Sequence, residues 1–467
     1  MHKIAPSFAV AAAGAIVLLT MAVARVCPAA ELSRDDPLEK PMPDSRIVAA
    51  LKDVSNTRIE DDIRELAGFG TRSTLSVQDP AAIAAGRGIG AAREWIKARF
   101  ESYSRSCGGC LDVQVDAFTQ QPAERIPQPT VITNVYAILK GSDPVAAQRI
   151  VLVSGHYDSR NSDILDIDHD APGANDDASG VAVSLESARV LSKLKFPATI
   201  IFLAVAGEEQ GLNGSAHFAR MAREQNWNIE AVLNNDIVGG NKSPEQDPRV
   251  VRVFSEGFPV TADERQLQLL RTRGGESDSS SRELARYIRE LAASYDTGVN
   301  PLLIFRLDRY LRGGDHSSFN QQGYAAVRFT EYREDFNRQH QDVRTENGIE
   351  YGDLLKFVDF EYVSRVARLN AAILAALAAA PVPPTHVAIL TSKLENDSSL
   401  EWEASPGASG YEVVWRATSS PEWQHARNAG NSTRITLPIS KDNVIFAVRA
   451  LDAQGHRSLP IVPEPKR

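Results

Sequence analysis

The stretch that decides the fold is ATIIFLAVAGEE, residues 198–209, an apolar run that ends on two adjacent glutamates. The run does not alternate with polar residues, which is typical of a strand covered on both faces. RIVLVSGHYD (149–158) and IEAVLNNDIVGG (229–240) have a similar form, and helical patterns such as SGVAVSLESARVLSKL (179–194) lie between the runs. This alternation predicts an α/β fold, with a mostly parallel central sheet and helices on both faces.

The chain of 467 residues is long enough for one large domain and a smaller one. A long apolar helical pattern is followed by PVPPTH, which predicts a linker, so we place the large domain at residues 31–380. Residues 385–467 contain short alternating runs separated by turn signals, which predict an all-β sandwich. Trp402, GYEVVWR (410–416) and FAVRALDAQGHRS (446–458) make this part similar to a fibronectin type III module.

The N-terminus has the pattern of a targeting segment. Residues 1–30 begin with the basic MHK and contain the apolar run AVAAAGAIVLLTMAVA (9–24), as in a cleaved signal peptide. An uncleaved membrane anchor is the alternative, because the apolar run is nearly long enough to span a bilayer. Lipid attachment at Cys27 is a further alternative, although the residues before it are a poor context. We therefore expect export to the periplasm or the extracellular space.

Charge and cysteine content narrow the classes of function. The net charge of −9 gives no basic surface for nucleic acid, so we exclude nucleic acid as a partner. Cys107 and Cys110 form a single CGGC pair, without the surroundings of a redox motif or the four thiolates of a structural zinc site. We interpret the pair as a structural disulfide formed in an oxidising compartment.

Acidic and histidine residues follow the predicted strands or lie in glycine-flanked loops. Because the carboxyl ends of parallel strands meet at one edge of a sheet, we expect these side chains to converge there. Imidazole and carboxylate ligands suit zinc, with cobalt or manganese as alternatives, and their number is sufficient for two ions. The residues are His156, Asp158, Asp176, Asp177, Glu208, Glu209, Asp236, Asp315 and His316.

The order of these motifs, HxD, NDDASG, GEEQG, a later Asp and DH, resembles the family-28 metallopeptidases. These are di-zinc exopeptidases that include aminopeptidases, carboxypeptidases and one-zinc glutaminyl cyclases, and the resemblance covers residues 60–380. It implies Glu208 as the general base, with Asp158 behind a metal-bound histidine. It also implies a set of metal ligands: Asp176 bridging two ions, His156 and Asp236 on one ion, and Glu209 and His316 on the other.

The adjacent glutamates also make chemical sense without the resemblance. Neighbouring side chains at a strand end point in different directions, so Glu209 can bind metal while Glu208 faces the cleft. Two nearby cations would keep both carboxylates ionised despite their mutual repulsion. Glu208 would then move a proton during hydrolysis, and Asp158 would fix the tautomer of His156.

Other polar residues are interpreted as structural or solvent-exposed. DILDIDHD (163–170) lacks the glycine and the terminal glutamate of an EF-hand loop, so we interpret it as a solvated loop. Arg312 is assigned to the surface or to an ion pair, although binding of a substrate carboxylate is an alternative. The remaining histidines are given no ligand role: His217 and His340 are interpreted as structural, and His386, His425 and His456 as surface residues.

The expected function is that of an exported zinc aminopeptidase acting on peptides or proteins. The chain has neither HExxH nor GxSxG, which removes support for the one-metal zincin and the serine-hydrolase mechanisms. A carboxypeptidase on the same scaffold and a non-catalytic receptor or adhesion protein are the alternatives. The sandwich is a candidate binding arm for a protein or a glycan, and membrane contact is expected only if the N-terminal segment stays uncleaved.

Overall fold

The computed structural model describes residues 36–467, so the predicted signal peptide and Cys27 lie outside the described residues. The helices are α1 (Ser45–Lys52), α2 (Asn56–Gly68), α3 (Pro80–Ala84), α4 (Gly88–Ser106), α5 (Ala178–Leu191), α6 (Asn213–Glu224), α7 (Glu264–Thr272), α8 (Ser280–Tyr295), α9 (His316–Asn320) and α10 (Phe360–Ala379). The strands of the large sheet are β1 (Leu111–Gln120), β2 (Thr130–Leu139), β3 (Arg149–His156), β4 (Thr199–Val205), β5 (Asn228–Asn235), β6 (Val250–Ser255), β7 (Asn300–Ile304) and β8 (Ala326–Glu331).

These eight strands form one mixed sheet in the order β1-β2-β4-β3-β5-β8-β6-β7. The four central strands β4, β3, β5 and β8 are parallel to one another. On one side β2 pairs antiparallel with β4 and with β1, and on the other side β6 pairs antiparallel with β8 and parallel with β7. The predicted α/β class is confirmed, and the parallel part of the sheet is its centre.

Helices cover both faces of the sheet, which explains why its central strands are continuously apolar. Val151 and Val153 of β3 pack in a core with α5 and α10, whereas Leu152 between them packs in a second core with α6 and α9. Side chains alternate between the two faces along a strand, so the run from Ile150 to Val153 in β3 is apolar at every position.

The helix α10 is the main element of the larger core. Within residues 36–467 it is the one helix long and apolar enough to cross a membrane, and 89% of its apolar window is buried inside the protein. Asp359 caps its N-terminus by accepting from the backbone N–H groups of Glu361 and Tyr362, at 3.1 and 3.2 Å. Burial on nearly all sides is typical of the core helix of a large α/β domain.

Shorter strands complete the described part of the chain. A hairpin contains β9 (Arg344–Glu346) and β10 (Ile349–Tyr351). The C-terminal part, called here the sandwich module, contains β11 (Thr385–Leu390), β12 (Ser398–Glu403), β13 (Gly410–Ala417), β14 (His425–Gly430), β15 (Arg434–Leu437), β16 (Val444–Leu451) and β17 (Glu464–Lys466). Its sheets run β15-β12-β11-β17 and β14-β13-β16, around a core that includes Trp402, Trp415 and Phe446. Its relation to fibronectin type III and the exact domain boundaries stay predictions.

The sandwich module is joined to α8 through buried charged groups. Trp423 donates from Nε1 to Oε2 of Glu283 at 3.0 Å, and Arg449 lies 2.8 Å from a carboxylate oxygen of Glu290. Arg457 lies 2.8 Å from the other oxygen of Glu290. Removing one partner of a buried pair leaves the other charge uncompensated, so the module and α8 stabilise each other.

The first described residues also contact the sandwich module. The backbone N–H of Leu38 donates to the carbonyl of Gln424 at 3.0 Å, and the N–H of Ala426 donates to the carbonyl of Asp36 at 3.0 Å. Residues 36–38, called here the N-terminal strap, thus extend the three-stranded sheet next to β14 by an isolated antiparallel bridge.

Two predictions about individual residues are settled by the fold. Cys107 and Cys110 form the predicted disulfide at the end of α4. His456, predicted at the surface, is buried between two carboxylates: its Nε2 lies 3.1 Å from Asp44 and its Nδ1 lies 2.6 Å from Asp452. Although burial opposes protonation, these carboxylates raise the pKa of His456 above its ordinary value.

Candidate metal centre

The ends of the parallel strands bring the predicted polar residues together. His156 is the last residue of β3, Asp176 precedes α5, Glu209 follows β4 and Asp236 follows β5. The strands β4, β3 and β5 are adjacent and parallel, so their carboxyl ends open onto the same edge of the sheet.

A first group contains His156, Asp176 and Asp236. Nε2 of His156 lies 3.2 Å from Oδ1 of Asp176 and 3.9 Å from Oδ1 of Asp236. All three residues are buried, and their candidate ligand atoms lie within 4.8 Å of one another. One imidazole nitrogen and two carboxylate oxygens at this spacing fit a divalent zinc-like ion.

A second group contains Asp176, Glu209 and His340. Nε2 of His340 lies 2.9 Å from Oδ2 of Asp176 and 3.2 Å from Oε1 of Glu209. Asp176 therefore turns one carboxylate oxygen to each group. This is the arrangement that a carboxylate bridging two ions requires.

The structure corrects the assignment of His316 as a metal ligand. His316 begins α9 and is fully buried, with Nε2 2.8 Å from the carbonyl oxygen of Leu307 and 3.7 Å from Oδ2 of Asp308. It belongs to neither group of candidate ligands. His340, which was interpreted as structural, takes the place expected for His316.

One sequence signal could have identified His340. The segment YREDFNRQH (332–340) follows directly on the apolar strand β8, and β8 is one of the four parallel strands. A search of the loops after every apolar run, rather than of the motifs alone, would have included this histidine.

Asp158 holds both His156 and the glutamate pair. Nδ1 of His156 lies 3.1 Å from the backbone carbonyl of Asp158 and 3.5 Å from its carboxylate, so Nδ1 carries the proton and Nε2 faces the other ligands. The carboxylate of Asp158 also accepts from the backbone N–H groups of Glu208 and Glu209, at 3.3 and 3.1 Å. The predicted position behind His156 agrees with this geometry.

Asp177 lies next to the shared ligand and organises the backbone around it. Its carboxylate caps α5 by accepting from the N–H of Gly180 at 2.9 Å, and it accepts from the N–H of His156 at 3.0 Å. A Cβ at Gly180 would lie 2.2 Å from the carbonyl oxygen of Asn235, so only glycine permits this approach of helix and strand.

Two buried residues that the sequence interpretation missed orient the ligands. Arg328 of β8 is fully buried and lies 2.8 Å from Oδ1 of Asp236. Asp353 accepts from the backbone N–H of Asp176 at 2.7 Å. Burial raises the pKa of Asp353 to about 7. A charged residue inside an apolar strand, as in AAVRFTE (325–331), was the available signal for Arg328.

The charges of the centre favour cations. Although burial opposes protonation, Glu209 and Asp176 raise the pKa of His340 to about 10. The same carboxylates would be compensated by divalent cations, which would bind neutral imidazoles instead of protonated ones. The donor atoms and the local charge both fit bound zinc.

Glu208 is left for another role, because it belongs to neither group of ligands. It is half-buried and faces a cavity of about 600 Å³ whose lining also includes Asp176, Glu209, Asp236 and His340. Burial, with Asp236 and Glu209 nearby, raises the pKa of the Glu208 carboxyl well above its ordinary value. A carboxylate beside the candidate ligands and open to a cavity is placed to exchange protons with a substrate.

The fold, the two ligand groups and the cavity are those expected of a metal-dependent α/β enzyme, and comparison with known proteins identifies its family. Residues 134–359 match the profile of Peptidase family M28. A probable zinc metalloprotease of Leptosphaeria maculans is 45% identical over 92% of this chain and 99% of its own length. Another, of Pyricularia oryzae, is 48% identical over 91% of this chain and 85% of its own.

A solved structure supports the fold alone. The crystal structure of LapA from Legionella pneumophila superposes with a TM-score of 0.51 at 22% identity, covering 73% of this chain and 79% of LapA. The sequence matches identify the family: this chain belongs to peptidase family M28 and is a zinc metallopeptidase. The resemblance found in the sequence is confirmed at this level.

Proposed function

We propose that the protein is an aminopeptidase that removes N-terminal residues from peptides with two zinc ions. One observation carries the proposal: two groups of candidate ligands share Asp176, and Glu208 lies beside them on the same cavity without belonging to either. A pair of ions with a shared carboxylate and a separate base is the arrangement used by two-metal hydrolases.

The residues then have distinct tasks. Bound zinc would supply Lewis-acid activation of a water molecule and of the scissile carbonyl. Glu208 accepts a proton as the water oxygen bonds to the carbonyl carbon, and it passes that proton to the amine nitrogen as the C–N bond breaks. Asp158 keeps the proton of His156 on Nδ1 and holds the backbone of Glu208 in place.

Substrates with free and blocked N-termini test the proposal. We expect hydrolysis of aminoacyl-p-nitroanilides, loss of that activity after chelation, and its return with zinc. N-acetylated forms of the same compounds are the matched controls and should be inert. Turnover of the N-acetylated compounds alone would reject an aminopeptidase.

A carboxypeptidase on the same scaffold is the second candidate. Arg125 and Arg160 line the cavity and favour it, because guanidinium groups bind carboxylates. N-acetylated peptides with a free C-terminus separate the two, since a carboxypeptidase hydrolyses them and an aminopeptidase does not. The p-nitroanilides have no terminal carboxylate, so a carboxypeptidase should leave both forms intact. A non-catalytic receptor has less support, because the candidate ligands and the base are all present.

We also propose that the protein is exported, on the basis of the targeting pattern in residues 1–30 and the disulfide between Cys107 and Cys110. Expression of the chain from residue 1, followed by N-terminal sequencing of the secreted protein, tests export and cleavage together. Retention of the uncleaved chain in the membrane fraction would support an anchor instead.

A further inference from the structure

Four arginines line the cavity beside the candidate metal ligands: Arg125, Arg160, Arg309 and Arg312. Two of them are already paired with acidic residues, and Arg309 lies 3.0 Å from Oδ1 of Asp308. Arg309 and Arg312 lie 2.7 and 3.0 Å from Oε2 of Glu334, so the interpretation of Arg312 as an ion-pair residue is confirmed. Burial acts to raise the pKa of Glu334, but these arginines outweigh burial and hold that pKa below its ordinary value.

The other two arginines have only neutral partners in residues 36–467. Arg125 donates from one terminal nitrogen to the carbonyl of Glu209 at 3.1 Å. Arg160 donates to the carbonyls of Asn161 and Ser162, both at 3.0 Å. Carbonyl oxygens orient a guanidinium without cancelling its charge, and each guanidinium has further N–H groups that can donate.

These two arginines belong to neighbouring loops. Arg125 is attached to the glutamate loop through the carbonyl of Glu209, and Gln210 of that loop donates to the carbonyl of Ile164 at 3.4 Å. Ile164 lies four residues after Arg160, so this bond joins the glutamate loop to the loop that carries Arg160. Both positive charges therefore line the same cavity as Glu208 and Glu209.

We propose that Arg125 and Arg160 bind a carboxylate of the substrate, so that the preferred substrates are peptides with a carboxylate close to the scissile bond. Two guanidiniums that no carboxylate neutralises offer a substrate carboxylate both positive charge and N–H donors on the wall of the cavity. The carboxylate is either the C-terminus of a short peptide or the side chain of an acidic residue. The inference rests on the proposed peptidase function.

Four peptides distinguish these sources: Leu-Glu, Leu-Gln, and the C-terminal amide of each. We expect kcat/KM to fall when the relevant carboxylate is replaced by an amide. Arg125→Gln and Arg160→Gln should each reduce that preference by about tenfold or more, as expected for a hydrogen bond between charged groups. Preference for Glu over Gln identifies a side-chain carboxylate, and preference for free over amidated C-termini identifies the terminal one.

Arg312→Gln is the matched control, because it removes a cavity arginine that is already paired with Glu334. We expect this variant to keep the preference for the carboxylate. Equal kcat/KM for all four peptides, or a preference that persists in both the Arg125 and Arg160 variants, would overturn the inference.

The failure of the inference can be separated from the failure of the proposed function. Turnover of the amide of Leu-Gln reports peptidase activity without any carboxylate. If no peptide is hydrolysed, the proposed function fails, and calorimetric titration with Leu-Glu and with the amide of Leu-Gln still tests the arginines. Tighter binding of Leu-Glu that is lost in the variants supports the inference, and equal binding of the two peptides overturns it.

Discussion

Replacing His340 with alanine tests the ligand assignment directly, with His316→Ala as the comparison. Nε2 of His340 lies 2.9 and 3.2 Å from oxygens of Asp176 and Glu209. Loss of a residue that only supports a ligand typically lowers metal affinity by about 10–100-fold. Loss of the ligand itself should cost at least about 100-fold, or about 3 kcal/mol, at one of the two ions.

The two variants should differ in stability as well as in metal content. In the metal-free protein the protonated imidazole of His340 pairs with Asp176 and Glu209, which raise its pKa to about 10. Its removal should therefore lower the metal-free Tm near neutral pH, and this loss should shrink as the pH rises towards 10. His316 is fully buried, and its removal leaves the carbonyl of Leu307 without its partner at 2.8 Å. An unpaired buried group costs about 1–3 kcal/mol, and the cavity adds to this, so Tm should fall by several degrees.

Metal content per chain after dialysis, and Tm in the presence of a chelator, measure the two effects separately. We expect His340→Ala to bind one ion fewer, with a loss of metal-free Tm that shrinks as the pH rises towards 10. We expect His316→Ala to keep its metal and to lose stability. The reverse pattern, with metal lost from the His316 variant and retained by the His340 variant, would refute the assignment.

Further predictions concern the base, the shared ligand, a buried histidine and the sandwich module. Glu208→Gln should keep its metal and lower kcat by about 100-fold or more, since only the proton acceptor is lost; near-normal kcat with full metal would remove Glu208 from the mechanism. Asp176→Ala should weaken the binding of both ions, because each ligand group uses one oxygen of Asp176. Two full equivalents of metal in this variant would contradict a shared ligand. Because the pKa of His456 is raised in the folded protein, its ion pairs stabilise the fold fully below about pH 6.5, the ordinary pKa, and lose this effect as the pH rises through the raised pKa. The Tm difference between wild type and His456→Gln should therefore shrink at alkaline pH. A difference that grows would contradict the ion pairs. A chain truncated before Thr385 should unfold at lower temperature, because the carboxylates of α8 lose their partners, and an unchanged Tm would show that the module is independent.

The fold and most of the centre could be predicted because both follow from local patterns. Continuous apolar runs identify strands covered on two faces, and a parallel arrangement places their carboxyl ends at one edge. His156, Glu209 and Asp236 lie within a few residues of such ends, so their convergence needed no knowledge of packing.

The remaining parts depend on tertiary structure. His340 lies nine residues beyond the end of β8, in a polar segment without periodicity, and only the path of that loop brings its imidazole to Asp176. The histidine in the recognisable DH motif, His316, instead packs against the backbone at Leu307. Likewise, the contact between α8 and the sandwich module rests on charged residues, such as Glu290, whose partners lie more than 150 positions away in the sequence.

The N-terminal strap limits where the chain can be shortened. It lies against β14, the outer strand of its sheet, whose unpaired backbone groups would otherwise be open to another chain. A cut anywhere before Asp36 leaves this cover in place, whereas a protein that starts after Leu38 exposes a strand edge ready for self-association. Resistance to edge-to-edge association therefore depends on three residues that are distant in sequence from the sheet that they cover.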